Sequence, residues 1–401
     1  MAFDKLGVLI ALVALAGLFL PFALFRANRI ILGEPRPILE ALPSVPAALL
    51  LGVLVSGFAC ALLRLPTLVK LAAGLFVLGT LALLIGWSAS YLTPEGDTFA
   101  RVSPGAGFWL LVLAFALLVT DALTRLSLTP LARIAVLVAV FAAVGLLLWS
   151  GGWKDISTLK EYGTRARAFW TEARTHMVLA FGSVAIATLV GVPVGIACYK
   201  IRRIRAAVLN TLNIVQTIPS IALFGLLIAP LAWVAANLPG ASAIGISGIG
   251  AAPALVALFA YSLLPIVSNT VVGLLSVSPA AVDAALGMGM TSRQRLFGIE
   301  LPLAFPVILT GIRIVLVQNI GLATIAALIG GGGFGVFVFQ GIGQTAMDLV
   351  LLGAVPTVVL AFAAAVVLDA VVEMTSRSGR RALSKSTISA RPTMARQWST
   401  G

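Results

Sequence analysis

The sequence predicts an all-α polytopic membrane protein with about ten transmembrane helices. Of its 401 residues, 60% are hydrophobic and only 10% are charged, whereas about 25% of the residues of a soluble protein are usually charged. The mean hydropathy is +1.10, and a helix needs roughly 20 apolar residues to cross a bilayer. The stretches between the apolar runs are too short to build a sizeable core, which excludes a fused water-soluble enzyme or receptor domain.

Ten apolar runs without strand-like alternation predict the helices. They lie at about residues 7–25, 47–63, 71–91, 107–124, 131–150, 177–199, 206–229, 252–275, 304–329 and 349–372. The first run can also be interpreted as a signal peptide with Lys5 as its basic region. Its apolar stretch of about 19 residues is long for a signal peptide, and we therefore expect a retained helix.

The distribution of basic residues predicts the orientation in the membrane. Lys and Arg outnumber Asp and Glu by 27 to 14, a surplus that in a soluble protein would suggest a nucleic-acid partner. In a membrane protein the basic residues collect in cytoplasmic connections. With a cytoplasmic N-terminus, 17 basic residues fall inside and nine outside. We therefore expect both termini in the cytoplasm, contact with membrane lipid and no nucleic-acid partner.

A change of composition near residue 151 divides the chain. The earlier spans are rich in Leu, Ala and Val, whereas the later ones carry Asn, Gln, Thr, Ser and Pro at helical spacings. We expect a membrane extension of about five helices at 1–150 and the functional part after it. Residues 151–175 are expected to form an external amphipathic connection. Residues 376–401 are expected to form a basic, disordered cytoplasmic tail against anionic lipid headgroups.

The connection between the eighth and ninth spans, residues 278–302, has the sequence SPAAVDAALGMGMTSRQRLFGIELP. Ser278 and Pro279 are typical of a helix start, with the hydroxyl as cap and the proline in the first turn. Gly287 and Gly289 are expected to end this helix. The sequence therefore predicts a short first helix in what we call the 278–302 loop.

A second short helix is predicted in the same loop. Thr291 and Gln294 have the spacing of a capping box, and we expect the helix to end before Pro302. Two short helices around a glycine break predict a compact, exposed structure that a cytoplasmic partner can grip.

The spacing of residues in the 278–302 loop resembles the EAA loop of ABC importer permeases. The matching residues are Asp283, Ala284, Ala285, Gly289, Ile299, Leu301 and Pro302. The family usually has Glu where this chain has Asp283. In that family the loop forms a coupling helix that docks into the ATPase subunit, and the resemblance implies that role here. The alternative is an ordinary helical hairpin connection.

Three further stretches resemble the permeases of osmoprotectant importers, which take up glycine betaine, choline and related compounds. They are QTIPSIALFGLL at 216–227, YSLLPIVSNT at 261–270 and ATIAALIGGGGFGVFVFQGI at 323–342. The resemblance covers about residues 175–375 and implies a type I, methionine-importer-like permease core of five helices at 176–375. Ser268 stands where related permeases are expected to have Arg.

The resemblance also implies partners and a location. It implies a multi-pass permease of the bacterial inner membrane, a cytoplasmic ABC ATPase dimer, an external (periplasmic) substrate-binding protein and a second permease copy or paralogue. ATP hydrolysis would belong to the ATPase, so we expect no catalytic residue, cofactor or metal in this chain. The alternatives are a permease for methionine or another amino acid and, from a different class, an ion-coupled secondary transporter.

Polar residues at helical spacings on the later spans predict a translocation pathway or gate. The candidates are Asn213, Gln216, Thr217, Pro219, Ser220, Tyr261, Pro265, Asn269, Arg313, Gln318, Asn319 and Thr324. For each polar residue the alternative is an interhelical hydrogen bond, and for the two prolines it is a packing kink. For Arg313 the alternative is a structural pair with Asp369 or snorkelling to the cytoplasm. A quaternary ammonium is usually held by aromatic faces, for which we name only Tyr261 and Phe224.

The same spans argue against ion coupling, against nucleotide binding and against enzyme activity in this chain. No Asp or Glu is expected near the middle of a core span, so ion coupling through a buried carboxylate has no obvious carrier. The glycine run at 330–333 is followed by no GK[ST] and is expected to form a close-packed turn instead of a nucleotide loop. His176 is expected at the outer membrane interface, and one histidine without clustered carboxylates argues against a membrane-embedded enzyme.

Overall fold

The computed structural model describes residues 4–28, 31 and 33–389, with side chains described up to residue 376. The chain forms two compact units. The first contains the described residues up to Phe169 together with Phe337–Gly353, and the second contains Trp170–Val336 and continues from Ala354. Residues 337–353, which the sequence assigns to the permease core, therefore pack within the first unit.

The first unit is a bundle of helices. They are α1 (Lys5–Phe19), α2 (Ile38–Ala41), α3 (Ser44–Leu62), α4 (Thr67–Leu92), α5 (Ala106–Arg125) and α6 (Pro130–Trp149). Glycines bring α1 and α5 close together, because a Cβ on Gly107 would lie 2.5 Å from the backbone oxygen of Gly17. Such close backbone approach is the usual way in which small residues pack membrane helices.

A small antiparallel sheet that the sequence did not predict joins the connections of this unit. Its strands β1 (Ala23–Arg26), β2 (Glu34–Arg36) and β3 (Arg101–Pro104) have the order β2-β1-β3. The prediction of a first helix over 7–25 was therefore wrong at its end. Pro21 disfavours helical backbone at the residue before it, and the chain becomes extended at Leu20.

The helix ends of the first unit fall into two groups, in the alternating order of the predicted topology. The strands belong to the connections α1–α3 and α4–α5, and Ile156, after α6, bridges to Val102 of β3. The other helix ends meet through Asp4, whose carboxylate lies 2.7 Å from Lys70 Nζ and 3.5 Å from Arg125 Nη2. Connections that the sequence places on one side of the membrane thus lie together.

The remaining helices form the second unit and its links to the first. They are α7 (Ser157–Lys200), α8 (Arg202–Thr217), α9 (Ser220–Leu226), α10 (Ile228–Asn237), α11 (Ala251–Leu275), α12 (Pro279–Gly287), α13 (Ser292–Arg295), α14 (Leu301–Leu322), α15 (Gly335–Gly343) and α16 (Met347–Ser389). Helix α7 consists of two helical stretches joined across a kink at Arg165, so most of the expected external connection at 151–175 is helical.

Two predicted helices of the second unit are broken. The seventh, expected over 206–229, is interrupted between Thr217 and Ser220, where Pro219 removes a backbone donor. The ninth, expected over 304–329, ends as an α-helix at Leu322 and continues as a 3-10 helix over Ile325–Ile329. In both places a polar or glycine-rich sequence permits the break.

Within the described part of the chain, nine helical segments are long and apolar enough to cross a membrane. Helix α1 has 15 residues and is about 22 Å long, short of the roughly 30 Å hydrocarbon core. The prediction of an all-α membrane protein with about ten helices is confirmed, with the small sheet added. Helix α16 continues through Ser389, and the rest of the expected tail, 390–401, lies outside the described residues.

Candidate functional site

The first half of the 278–302 loop has the predicted helix start. Ser278 Oγ accepts a hydrogen bond from Ala281 N at 3.3 Å, and Pro279 occupies the first turn of α12. The helix ends at Gly287, and Gly289 adopts φ +73°. That left-handed conformation costs L-residues with a Cβ about 1–2 kcal/mol, so glycine is required at 289 for the turn.

The second half of the loop has the predicted capping box but a different end. Thr291 Oγ1 accepts from Gln294 N at 3.3 Å, and Gln294 Oε1 accepts from Thr291 N at 2.8 Å. The expectation that this helix ends before Pro302 was wrong, because α13 passes through a π-helical turn, Leu296–Glu300, directly into α14. Proline has no backbone N–H, and the wider π turn before Pro302 lets the helix continue through it.

An ion pair that sequence analysis missed lies at this turn. Arg295 Nε donates to Glu300 Oε1 at 2.6 Å, and the side chain of Glu300 is only 2% exposed. The spacing of five residues is that of the π turn and not of an α-helix, so helical periodicity gave no signal for the pair. The pair fastens the loop to the beginning of α14.

The surface of the 278–302 loop is unusually apolar for a connection. Leu286, Met288 and Phe297 are 51%, 71% and 59% exposed, and Ala285 is buried beneath them. Asp283, Ala284, Gly289 and Pro302 are exposed, while Ile299 and Leu301 are half-buried. Beside Phe297 a shallow depression is lined by Thr291, Arg293 and Gln294. Exposed apolar side chains rimmed by polar ones mark an interaction surface.

The candidates on α8 and α9 surround the helix break. Gln216 Nε2 donates to Tyr261 O at 2.7 Å, and the hydroxyl of Tyr261 donates to Ile218 O. Pro219 and Ser220 are the cap and first residue of α9. Asn213 and Thr217 are exposed, and Thr217 Oγ1 donates to Ile214 O at 2.7 Å.

The polar side chains next to Pro265 on α11 bond within their own helix. Pro265 lies inside α11, and Asn269 Nδ2 and Ser268 Oγ both donate to its backbone oxygen, at 2.8 and 3.2 Å. These two side chains are half-buried.

Asn319 on α14 ties three helices together. Its Nδ2 donates to Ser183 Oγ on α7 and to Ser262 Oγ on α11, each at 2.8 Å, and all three residues are 0% exposed. This is the interhelical hydrogen bond that the sequence left open as the alternative for each polar residue. Gln318 and Thr324 are half-buried.

Arg313 forms the structural pair that the sequence offered as an alternative to a gate. Arg313 Nη1 donates to Asp369 Oδ1 at 2.7 Å, with side-chain exposures of 36% and 40%. The pair joins α14 to α16. A charged residue in a span is costly unless it is paired or reaches water, and here it is paired.

Two matching families decide what these helices belong to. The family described as binding-protein-dependent transport system inner membrane component matches residues 187–380. The family described as ABC transporter permease YehY, N-terminal domain, matches residues 4–159. The glycine betaine/carnitine/choline transport system permease protein OpuCB of Bacillus subtilis (strain 168) is 36% identical over 202 residues, which are 50% of this chain and 84% of that protein. The chain belongs to this family of ABC importer permeases.

A second relative agrees with this membership. The osmoprotectant import permease protein OsmW of Salmonella typhimurium (strain LT2) is 42% identical to the permease over 186 residues, 46% of this chain and 81% of that protein. A chain from inward facing conformations of the MetNI methionine ABC transporter matches with 22% identity and a TM-score of 0.45, covering 52% of the permease and 95% of that chain. By the matched family and the two named relatives, the permease is an inner-membrane transport component and not an enzyme.

The position predicted for His176 of the permease was wrong, and the nearby Glu172 was not predicted as a contact residue. His176, expected at the interface, is 0% exposed and packs on Phe334 with ring centroids 4.9 Å apart. Glu172, one turn earlier, accepts from Gly333 N at 2.6 Å. The close-packed glycine turn is confirmed, since Gly333 adopts φ +86° and a Cβ there would lie 3.1 Å from His176 Nδ1. The glycine run was the available signal for this contact.

Within the described part of the permease, no group of three or more His, Cys, Asp or Glu side chains is arranged to hold a metal ion. Cys60 and Cys198 are free thiols.

Proposed function

We propose that this permease is the transmembrane subunit of an ATP-driven importer for osmoprotectants such as glycine betaine or choline. The printed names of OpuCB and OsmW support this substrate class. The observation that carries the proposal is the exposed apolar surface of the 278–302 loop, formed by Leu286, Met288 and Phe297, within the matched region 187–380. We infer that the ATPase subunit docks on this surface.

The structure suggests how ATPase closure moves the transmembrane helices. The loop continues from Ser292 to Leu322 as one helical segment of 31 residues, so a displacement at the loop is transmitted along α14. Asn319 then links α14 to α7 and α11. Rigid-body movement of these helices would exchange outward and inward access, as in other alternating transitions.

The pathway is proposed along the polar faces of α8, α11 and α14. Its lining residues are Asn213, Gln216, Thr217, Pro219, Ser220, Pro265, Asn269, Gln318 and Thr324, with Tyr261, Arg313 and Asn319 as structural supports. Phe224 is 1% exposed and Tyr261 is 5% exposed. Because these two aromatic rings are packed in the core, substrate selection is assigned to an external substrate-binding protein.

The assembly follows the same reasoning. We propose a cytoplasmic ATPase dimer, a second permease copy or paralogue beside this chain, and both termini in the cytoplasm, as the distribution of basic residues predicts. Methionine or another amino acid is the alternative substrate. Family membership favours ATP over an ion gradient as the energy source.

The test is uptake by cells that lack their own osmoprotectant importers and express the permease with its ATPase and binding protein. Labelled glycine betaine or choline should accumulate, should cease to accumulate when the ATPase carries an inactive nucleotide site, and should persist with an ionophore. Accumulation of methionine, without glycine betaine or choline, would show that the permease carries an amino acid instead of an osmoprotectant. Uptake that survives ATPase inactivation and collapses with the ionophore would establish ion coupling instead.

A further inference from the structure

A basic cavity lies at the end of the first unit where α1 and α4 begin and α3 and α5 end. It has a volume of about 480 Å³ and is separate from the 278–302 loop and the candidate pathway. Its polar lining consists of Asp4, Lys5, Arg64, Thr67, Lys70 and Arg125. The proposed import function uses none of these residues.

The charges of the cavity are strongly unbalanced. Among the lining residues, four basic side chains face a single carboxylate, that of Asp4, while Asp121, outside the lining, holds Arg125 Nε at 2.8 Å. Asp4 holds two of them, since Lys70 Nζ lies 2.7 Å and Arg125 Nη2 lies 3.5 Å from its Oδ2. Lys5 and Arg64 are exposed at the cavity, and within the described part of the chain neither forms an ion pair. Two ion-paired and two unpaired basic side chains thus surround the cavity, and this charge distribution favours the binding of an anion.

A helix N-terminus adds to the positive potential. Helix α4 begins at Thr67, and its N-cap residue, Pro66, offers no side-chain hydrogen bond to the first turn. The first backbone N–H groups of a helix and its dipole together attract anions, phosphate in particular. Thr67 also places a hydroxyl at the cavity.

Apolar side chains beside the cavity indicate which phosphate it takes. Leu6 and Leu9 on α1 are 37% and 53% exposed, and Leu68 and Val69 on α4 are 66% and 44% exposed. These residues follow Lys5 and Thr67 directly in sequence, so the cavity lies where the apolar, lipid-facing surface of the two helices begins. A ligand there has room for a charged head in the cavity and for acyl chains along the helices.

We propose that this cavity binds the phosphate of an anionic phospholipid headgroup. Lys5 and Arg64 contact the phosphate and supply the net positive charge, Lys70 and Arg125 are held beside it by Asp4 and Asp121, and the acyl chains lie along α1 and α4. A basic pocket between membrane helices is a recognised type of headgroup site. This proposal does not depend on the transported substrate. It gives the membrane extension at 1–150 a specific lipid contact.

The test uses the full-length permease purified in detergent, with short-chain phosphatidylglycerol as the probe and native mass spectrometry as the readout. The double variant Lys5→Gln with Arg64→Gln should weaken binding about 25-fold, because each basic residue near a lipid surface contributes roughly a fivefold change. Both side chains are exposed, so the fold is retained. Lys5→Arg with Arg64→Lys should keep the affinity. The matched control is Arg202→Gln with Arg203→Gln, two exposed basic residues outside the cavity, which should change nothing.

Three results would overturn the proposal. They are equal binding of phosphatidylglycerol by the Lys5 and Arg64 double variant, equal binding of short-chain phosphatidylcholine by the unmodified permease, and a response to inorganic phosphate as strong as that to the lipid. The last result would assign the cavity to a soluble phosphate. None of them bears on the uptake test.

Discussion

Gln216 donates from its side-chain amide to the backbone oxygen of Tyr261, four residues before Pro265, at 2.7 Å. In an α-helix that oxygen would accept from the residue at 265, but proline has no backbone N–H. Gln216 therefore supplies the hydrogen bond that Pro265 removes. The proline position in α11 is thereby joined to α8, next to the break at Pro219.

Replacing Gln216 with Leu should lower the stability of the permease. The change leaves the oxygen of Tyr261 without a donor, which costs about 1–3 kcal/mol when the group is buried. Thermal unfolding in detergent measures the loss, and Thr217→Val, one residue away on an exposed position, should stay within about 0.5 kcal/mol. Unchanged stability of Gln216→Leu together with altered substrate affinity would instead assign Gln216 to the pathway alone.

Breaking the Arg295–Glu300 pair should loosen the 278–302 loop from α14. The variant Arg295→Gln leaves a buried carboxylate with a weaker partner, at a cost of about 2–3 kcal/mol, while Arg293→Gln on the exposed side of the same turn serves as control. Limited proteolysis should cut the loop faster in Arg295→Gln only. Equal cleavage of the two variants would show that the pair does not hold the loop.

Two glycines of the loop, Gly287 and Gly289, should respond differently to the same small change. No atom lies within 4 Å of a Cβ added at either position, but Gly289 has φ +73° and Gly287 has ordinary helical backbone. Gly289→Ala should strain the turn by about 1–2 kcal/mol and reduce ATPase stimulation by transported substrate, whereas Gly287→Ala should not. The assay is substrate-stimulated ATP hydrolysis in reconstituted vesicles. Full stimulation with Gly289→Ala would remove the turn from the coupling mechanism.

The stability of the first unit should depend on pH through Asp4. A hydrogen bond from Lys70 lowers the pKa of Asp4 below its ordinary value of 3.8. A lowered folded-state pKa contributes stability above the unfolded value and loses it as pH falls through the folded value. The melting temperature should therefore decrease below pH ~4, and less steeply in Asp4→Asn. Parallel decreases in both proteins would assign the pH dependence to other groups.

The sequence predicted the parts of the fold that depend on hydropathy and local capping. Nine long spans and the caps at Ser278 and Thr291 follow from residue type and spacing, whereas the pairing of Arg313 with Asp369 was one of the alternatives that the sequence left open. The strand at Ala23–Arg26 was missed because an apolar run extends across Pro21, and apolar composition alone does not distinguish helix from strand.

The site was predicted less completely for a physical reason. Ser183, Ser262 and Glu172 act through partners far away in the chain, at Asn319 and Gly333, and no local pattern reports such pairs. Arg295 and Glu300 are close in sequence, but their spacing has meaning only in a π turn. Sequence periodicity thus predicts which helix faces are polar, whereas the structure shows which polar groups on those faces form hydrogen bonds or ion pairs.

The most direct test of the account is photocrosslinking from the 278–302 loop. Benzoylphenylalanine at Met288, 71% exposed, should crosslink to the co-purified ATPase subunit. The same group at Ile244, 78% exposed in a connection predicted to be external, should not. Crosslinking from Met288 should also change when nucleotide is bound. An ATPase adduct from Ile244, or none from Met288 in a complex that transports substrate, would contradict the docking of the ATPase on this loop.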